Sequence, residues 1–222
     1  MLEVGGGAGL LATELVERGY RVLVIDSSEE MVAQTRQRAV SGEAGDRLTT
    51  AVADVHELEL PDGAFSLVIA VGVLPWLHDP VRALREIARV AEPSAAIILT
   101  SDNESRLTHR LDPGLTPALR PARHAVRRPL ARLGLMAPVA GPGLVRMYRE
   151  DALEAMLSAA GIHVERMASV GFGPFTLGRR PVLPDPIGRR IEARLQRLAD
   201  RGAPVARSQG NHHVVLARRR AT

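Results

Sequence analysis

The chain has 222 residues, enough for a full hydrophobic core, and 45% of them are apolar. It lacks cysteine, which excludes disulfides, thiolate metal sites and a cysteine nucleophile. No run of about 18 apolar residues occurs, which excludes a membrane-spanning helix, and no basic-then-apolar leader is visible; a cytoplasmic protein is expected. All 29 basic side chains are arginine. They are unevenly placed: residues 1–100 carry a net charge of −7 and residues 101–222 a net charge of +11. The basic half suggests an anionic ligand or surface, or a solvated arginine-rich face. Nucleic acid is disfavoured, because base-stacking readers need aromatic platforms and aromatics are 3% of the chain.

Residues 1–4 read as a short apolar strand. Glu3-Val4-Gly5-Gly6-Gly7-Ala8-Gly9 follows, with glycines at alternate positions where a backbone bends tightly and a ligand approaches closely. A helix over 9–18 ends at Gly19, and it would aim its N-terminal N–H groups at that ligand. A second strand over 21–25 delivers Asp26, placed to accept from the hydroxyls of a ribose. Ser27 with Glu30 forms a capping box for a helix over 28–40. Strands follow at 48–53 and 65–71. Asp79 caps the next helix, with Pro80 in its first turn, and a fifth strand spans 94–101. Alternating strands and amphipathic helices give an α/β, Rossmann-like, doubly wound, mostly parallel sheet. Ligands of such sheets bind beyond the strand carboxyl ends, where Gly5–Gly9, Asp26, Asp54 and residues 71–74 all fall.

A nicotinamide-binding turn needs G-x-G-x-x-G, and neither reading frame supplies it. The missing Tyr-x-x-x-Lys pair also argues against such a reductase. The spacing present is acid-x-G-x-G-x-G. With it come Ala51-Val52-Ala53-Asp54-Val55, then Leu60-Pro61-Asp62-Gly63-Ala64-Phe65-Ser66-Leu67-Val68, then Val73-Leu74-Pro75-Trp76-Leu77-His78-Asp79-Pro80, and finally Arg85-Glu86-Ile87-Ala88-Arg89-Val90 with Glu92-Pro93. In this order, over residues 1–102, the motifs resemble the class I S-adenosylmethionine-dependent methyltransferases, and most closely their type 11, ubiquinone/menaquinone-methyltransferase-like group.

The resemblance implies a seven-stranded sheet whose last strand is antiparallel, in one domain over 1–222, with a cofactor half at 1–102. Insertions at 103–147 and 171–209 would cover an acceptor. It implies S-adenosyl-L-methionine as cofactor, held by Glu3, Gly5, Gly7, Gly9, Asp26, Ser27, Asp54, Val55 and Val71. Trp76 and Tyr148 are expected in the acceptor pocket. His78 is the expected general base, although the family's histidine usually lies where this chain has Trp76, and a surface or helix-entry role is the alternative. No metal is expected. His56 is expected to face solvent, and His109 and His124 are expected to be exposed. The insertions suggest an apolar cavity with an arginine rim, suited to a small-molecule or lipid-like, anionic acceptor. The alternative is a truncated methyltransferase-like binding module without turnover. Family members usually carry a few dozen residues before the first strand, including a cofactor-covering helix. Met1 already lies in that strand, so a misassigned start or a shortened protein with weaker cofactor binding is expected.

After strand five, a helix is expected over 150–160, a strand over 162–169, an amphipathic helix over 186–200, and a last strand over 212–218.

Overall fold

The computed structural model describes residues 1–41, 45–116, 119, 121–122, 125, 145–177, 180–204 and 206–220. The chain divides into two compact units. Unit 1 comprises Met1–Ser101, Asp151–Met167 and Val214–Thr222; unit 2 comprises Asp102–Glu150 and Ala168–His213.

Unit 1 is built on a sheet. Its strands are β1 (Leu2–Val4), β2 (Val22–Asp26), β3 (Leu48–Val52), β4 (Phe65–Ala70) and β5 (Ala91–Asn103), with β7 (Ile162–Val170) and β10 (His212–Arg219); residues 102–103 of β5, 168–170 of β7 and 212–213 of β10 fall in unit 2. The order is β3-β2-β1-β4-β5-β10-β7, with β10 the antiparallel member. The first five strands are mutually parallel; Leu2 stands opposite Leu23 on one side and Val68 on the other. All three residues of β1 are buried, as expected of a central parallel strand covered on both faces. The chain reverses its strand order beside β1, which opens a crevice there.

Helices α1 (Leu10–Glu17), α2 (Glu29–Ser41), α3 (Pro80–Val90) and α5 (Glu150–Ala159) pack on this sheet. Ala12, Val16, Val22, Val24 and Leu48 form one buried cluster under α1. Helix α1 ends as expected at Gly19 (φ +92°): Gly19 N–H donates to Val16 and Tyr20 N–H to Leu15, the paired bonds that close a helix on a left-handed residue. Helix α3 starts as expected, with the Asp79 carboxylate accepting from Arg82 N–H at 3.0 Å. The α2 cap differs by one position. Ser28 accepts from Met31 N–H, because Ser27 is drawn into the turn that follows β2 and lines the cleft there.

The motif around Glu86 and Arg89 has a structural reason. The Arg89 guanidinium binds both Glu86 oxygens, Asp62, and the carbonyls of Leu58 and Leu60. Glu86 also accepts from Leu58 N–H. The fork of five donors thus ties the β3–β4 connection to α3. Arg89 holds the Glu86 carboxyl below its ordinary range. Strand β5 begins earlier than the sequence suggests, since Ala91 already pairs with Phe65 and the register shifts before Leu67. Ser94, just past that point, has φ +63°.

Unit 2 contains α4 (Leu107–Leu111), β6 (Met147–Tyr148), the hairpin β8 (Thr176–Leu177) and β9 (Arg180–Pro181), and α6 (Asp185–Asp200). Buried Asp112 accepts from Gly114 N–H and Thr176 Oγ1. The Asn103 amide donates to the carbonyls of Ser208 and Gly210. Buried polar groups of this kind are satisfied by hydrogen bonds within the unit.

Candidate cofactor cleft

A cleft of 540 Å³ opens in unit 1, lined by Val4, Gly5, Ile25, Asp26, Ser27, Ala53, Asp54, Val55, His56, Gly72, Val73, Trp76, Leu77 and His78. It lies at the carboxyl ends of β1, β2, β3 and β4, where side chains and loop backbone from four strands meet. Its volume is in the range of small-molecule sites, about 300–1,000 Å³.

The glycine turn forms its floor. Gly5 has φ +66°, and a Cβ there would stand 2.5 Å from Val73 Cγ2. Gly9 has φ +76°, and a Cβ there would stand 2.6 Å from Thr35 Cγ2. Both positions therefore demand glycine twice over, by backbone conformation and by space. Gly5 N–H donates to Ile25 at 2.7 Å and Gly9 N–H to Gly6 at 3.0 Å, which closes the bend before α1 begins. The Thr35 hydroxyl, from α2, donates to Gly7 at 2.8 Å.

Asp26 is fixed from two sides. One carboxylate oxygen accepts from Gly7 N–H at 3.0 Å and the other from Ser28 N–H at 2.9 Å. Each oxygen keeps a second lone pair, so the carboxylate is oriented and still able to accept from a ligand in the cleft.

Asp54 is oriented by His56. Asp54 Oδ1 accepts from His56 N–H at 2.9 Å and lies 2.6 Å from His56 Nδ1. His56 Nε2 accepts from Asp79 N–H at 3.4 Å. These partners select the tautomer with its proton on Nδ1. The His56 bonds hold Asp54 below the ordinary carboxylate range. His56 is only 6% exposed, which corrects the expected solvent-facing histidine. An Asp-x-His spacing closes a local turn of the carboxylate onto the backbone, and the same turn rotates the ring inward.

His78 stacks on His56, with ring centroids 3.7 Å apart and planes inclined by 33°. It therefore stands on the Asp54 side of the cleft. His78 is also part of the cleft lining, beside Trp76 and Leu77. Trp76 lines the cleft while remaining 65% exposed. Val55 lines it too, as do Gly72 and Val73; Val71, just past β4, is exposed.

Glu3 is 5% exposed and lies beneath the turn rather than in the cleft lining. Its Oε2 has no hydrogen-bond partner, and a Cβ on Gly6 would stand 3.3 Å from its carboxyl carbon. Burial pushes its pKa up to about 7, against a smaller opposing effect of the Ala12 N–H.

In unit 2, Tyr148 is half-buried, and burial raises its hydroxyl pKa while Arg146 pulls it back. His213 falls in the last strand, as expected. It is buried with Nε2 unpartnered, and desolvation lowers its pKa more than Glu150 raises it. His109 is buried rather than exposed; its Nε2 accepts from Arg106 Nε at 2.7 Å. His124 and most of the arginine-rich insertion lie outside the described residues. Among the described residues, no group of three or more histidine or carboxylate side chains could hold a metal ion, and no helix is long and apolar enough to cross a membrane.

A family model described as "Methyltransferase domain" matches residues 2–99. An uncharacterised transposon protein of Streptomyces fradiae is 31% identical over 189 residues, covering 79% of this chain and 53% of that protein. The ubiquinone/menaquinone biosynthesis C-methyltransferase UbiE of Paracoccus denitrificans is 33% identical over 102 residues, covering 45% of this chain and 40% of that one. The chain thus spans about half or less of the length of these curated relatives. Among solved structures, a S-adenosylmethionine-dependent methyltransferase from Methanosarcina mazei superposes with a TM-score of 0.65 at 16% identity, covering 100% of this chain and 92% of that one. The [4+2]-cyclase SpnF superposes with a TM-score of 0.63 at 21% identity, over 100% of this chain and 74% of that one.

Proposed function

We propose that this chain, whose residues 2–99 match the methyltransferase-domain family model, is a class I S-adenosylmethionine-dependent methyltransferase that transfers a methyl group to a small-molecule or lipid-like acceptor. The observation that carries the proposal is the convergence of Gly5, Asp26, Asp54 and Val73 on one cleft from four adjacent parallel strands.

The residues present fit the family's cofactor. The bent glycine turn leaves backbone where side chains would clash. Asp26, braced by Gly7 and Ser28, would hold the ribose hydroxyls. Asp54, with Val55 beside it, would meet the adenine, and the stacked His56 and His78 would wall that end. Ile25 and Leu77 supply apolar surface. Glu3 braces the turn from below. When bound, the cofactor supplies a methyl group activated by its sulfonium sulfur. The chain's residues orient it and exclude water, a contribution of up to about 7–11 kcal/mol in well-positioned systems. Tyr148, in unit 2, is the proposed acceptor-side residue.

Titration calorimetry with S-adenosylmethionine and S-adenosylhomocysteine tests the cofactor assignment; absence of heat with both overturns it. Incubation with methyl-labelled cofactor and a bacterial lipid extract tests turnover. Label in the organic phase supports a lipid-like acceptor. Binding without any label transfer, to lipid or to water-soluble metabolites, favours the binding module.

A further inference from the structure

Helix α6 of unit 2 is amphipathic in an inverted sense. At about 100° per residue, Ile187, Ile191 and Leu198 fall within about 40° of one another. Arg190, Arg194 and Arg197 lie along one flank of that stripe, and Arg201 follows at the helix end. Glu192 and Gln196 occupy the opposite side. A surface helix normally turns its apolar stripe inward. Here the polar side is inward: Glu192 accepts from Phe172 N–H, and Gln196 accepts from Gly171 N–H and donates to the Ser169 carbonyl. The apolar stripe is left outside, with Ile187, Ile191 and Leu198 all exposed, together with all four arginines. No described residue of α6 is buried. The preceding hairpin adds two more exposed aliphatics, Leu177 and Val182, and exposed Arg180.

We propose that this face of unit 2 docks on the surface of an anionic lipid bilayer. Ile187, Ile191 and Leu198 enter the boundary between headgroups and acyl chains, and Arg190, Arg194, Arg197 and Arg201 meet lipid phosphates. The helix has the character of an interfacial helix: an apolar stripe, arginines beside it, and low net hydrophobicity. Charge complementarity selects the occupant. Residues 101–222 carry a net charge of +11, and an anionic leaflet attracts such a segment. A second copy of the chain is a poor occupant, because a two-fold interface sets a patch against itself and would bring four arginines against four. The docking goes beyond methyl transfer and is tested without it.

The test is co-sedimentation of the full chain with vesicles of phosphatidylcholine alone, and of phosphatidylcholine with one third phosphatidylglycerol. Partitioning at least about tenfold stronger into the anionic vesicles, weakening as salt rises, is expected. Each of Arg190→Gln and Arg194→Gln should lower it by about fivefold. The double change Ile187→Ser with Ile191→Ser should lower it by at least about tenfold. Both sets alter exposed side chains, and an unchanged melting curve verifies the fold. Soluble glycerol phosphate should not compete. Equal partitioning into neutral vesicles, no partitioning into anionic ones, or anionic partitioning untouched by these changes overturns the proposal. So does a dimer in sedimentation velocity that Ile191→Ser dissolves, which would identify a second copy as the occupant. Cofactor calorimetry on the same samples reports separately on the methyltransferase reading.

Discussion

Replacing Glu3 by Gln should make the protein more stable at pH 8 and leave it unchanged near pH 4.5. The folded chain holds this carboxyl at a pKa of about 7, against an ordinary value of 4.5. Between those values the folded state binds more protons at this site than the unfolded chain does. Stability therefore falls as pH rises. The penalty begins as the unfolded carboxyl ionises and levels off once the folded one has ionised too. With about 1.36 kcal/mol per unit, the full penalty is about 3 kcal/mol, an upper figure because a buried site can relax or admit water. Gln keeps the shape, keeps an oxygen for the Ala12 N–H, and cannot ionise. For a chain of this size each kcal/mol moves the melting temperature by about 2–4 °C. The difference between Glu3→Gln and the parent should grow from nothing at pH 4.5 to about 6–12 °C at pH 8, on the same scale. Differential scanning fluorimetry of the two proteins across that range measures it. Parallel melting profiles, with the same difference at every pH, would refute the idea that Glu3 is buried and strained by its own charge.

Three further outcomes follow from the geometry. Asp26→Ala removes the acceptor for Gly7 and Ser28 N–H and the proposed ribose contact; calorimetry should show S-adenosylmethionine affinity reduced by at least about tenfold, the loss of a charge-assisted hydrogen bond of about 1.5–3 kcal/mol. Gly9→Ala puts a Cβ into Thr35 at a left-handed backbone position and should destabilise the fold by about 1–3 kcal/mol in urea unfolding; adding Thr35→Ser, which removes the clashing methyl, should recover part of this. Ser94→Gly relieves a positive φ and should stabilise the chain by about 1 kcal/mol, read as a melting temperature higher by about 2–4 °C.

Much of unit 1 could be read from the chain before its coordinates, for local reasons. Gly19 and Asp79 mark helix ends through bonds made within a few residues, and both do so in the structure. The acid-x-G-x-G-x-G turn and the aspartates after β2 and β3 belong to successive strand–helix units, so their order along the chain maps onto strand ends in space. Ser27 and Ser28 are chemically equivalent in sequence, and the cap falls on Ser28. Only the bend after Asp26 decides which of them faces the helix.

What the sequence alone determined is periodicity, the turn chemistry and the charge of each half. What only the tertiary structure decided is direction. His56 reads as a polar residue beside an aspartate, yet it is buried because its turn brings it under Asp79 and against His78. The residues of α6 show an amphipathic helix in sequence, and the usual expectation turns its apolar side to the core. In the folded chain Glu192 and Gln196 satisfy backbone N–H groups of Phe172 and Gly171, and the isoleucines face out. Buried backbone donors that lack a partner are costly to leave unmade, and which side chains must serve them is set by neighbours distant in the chain, which no local pattern records.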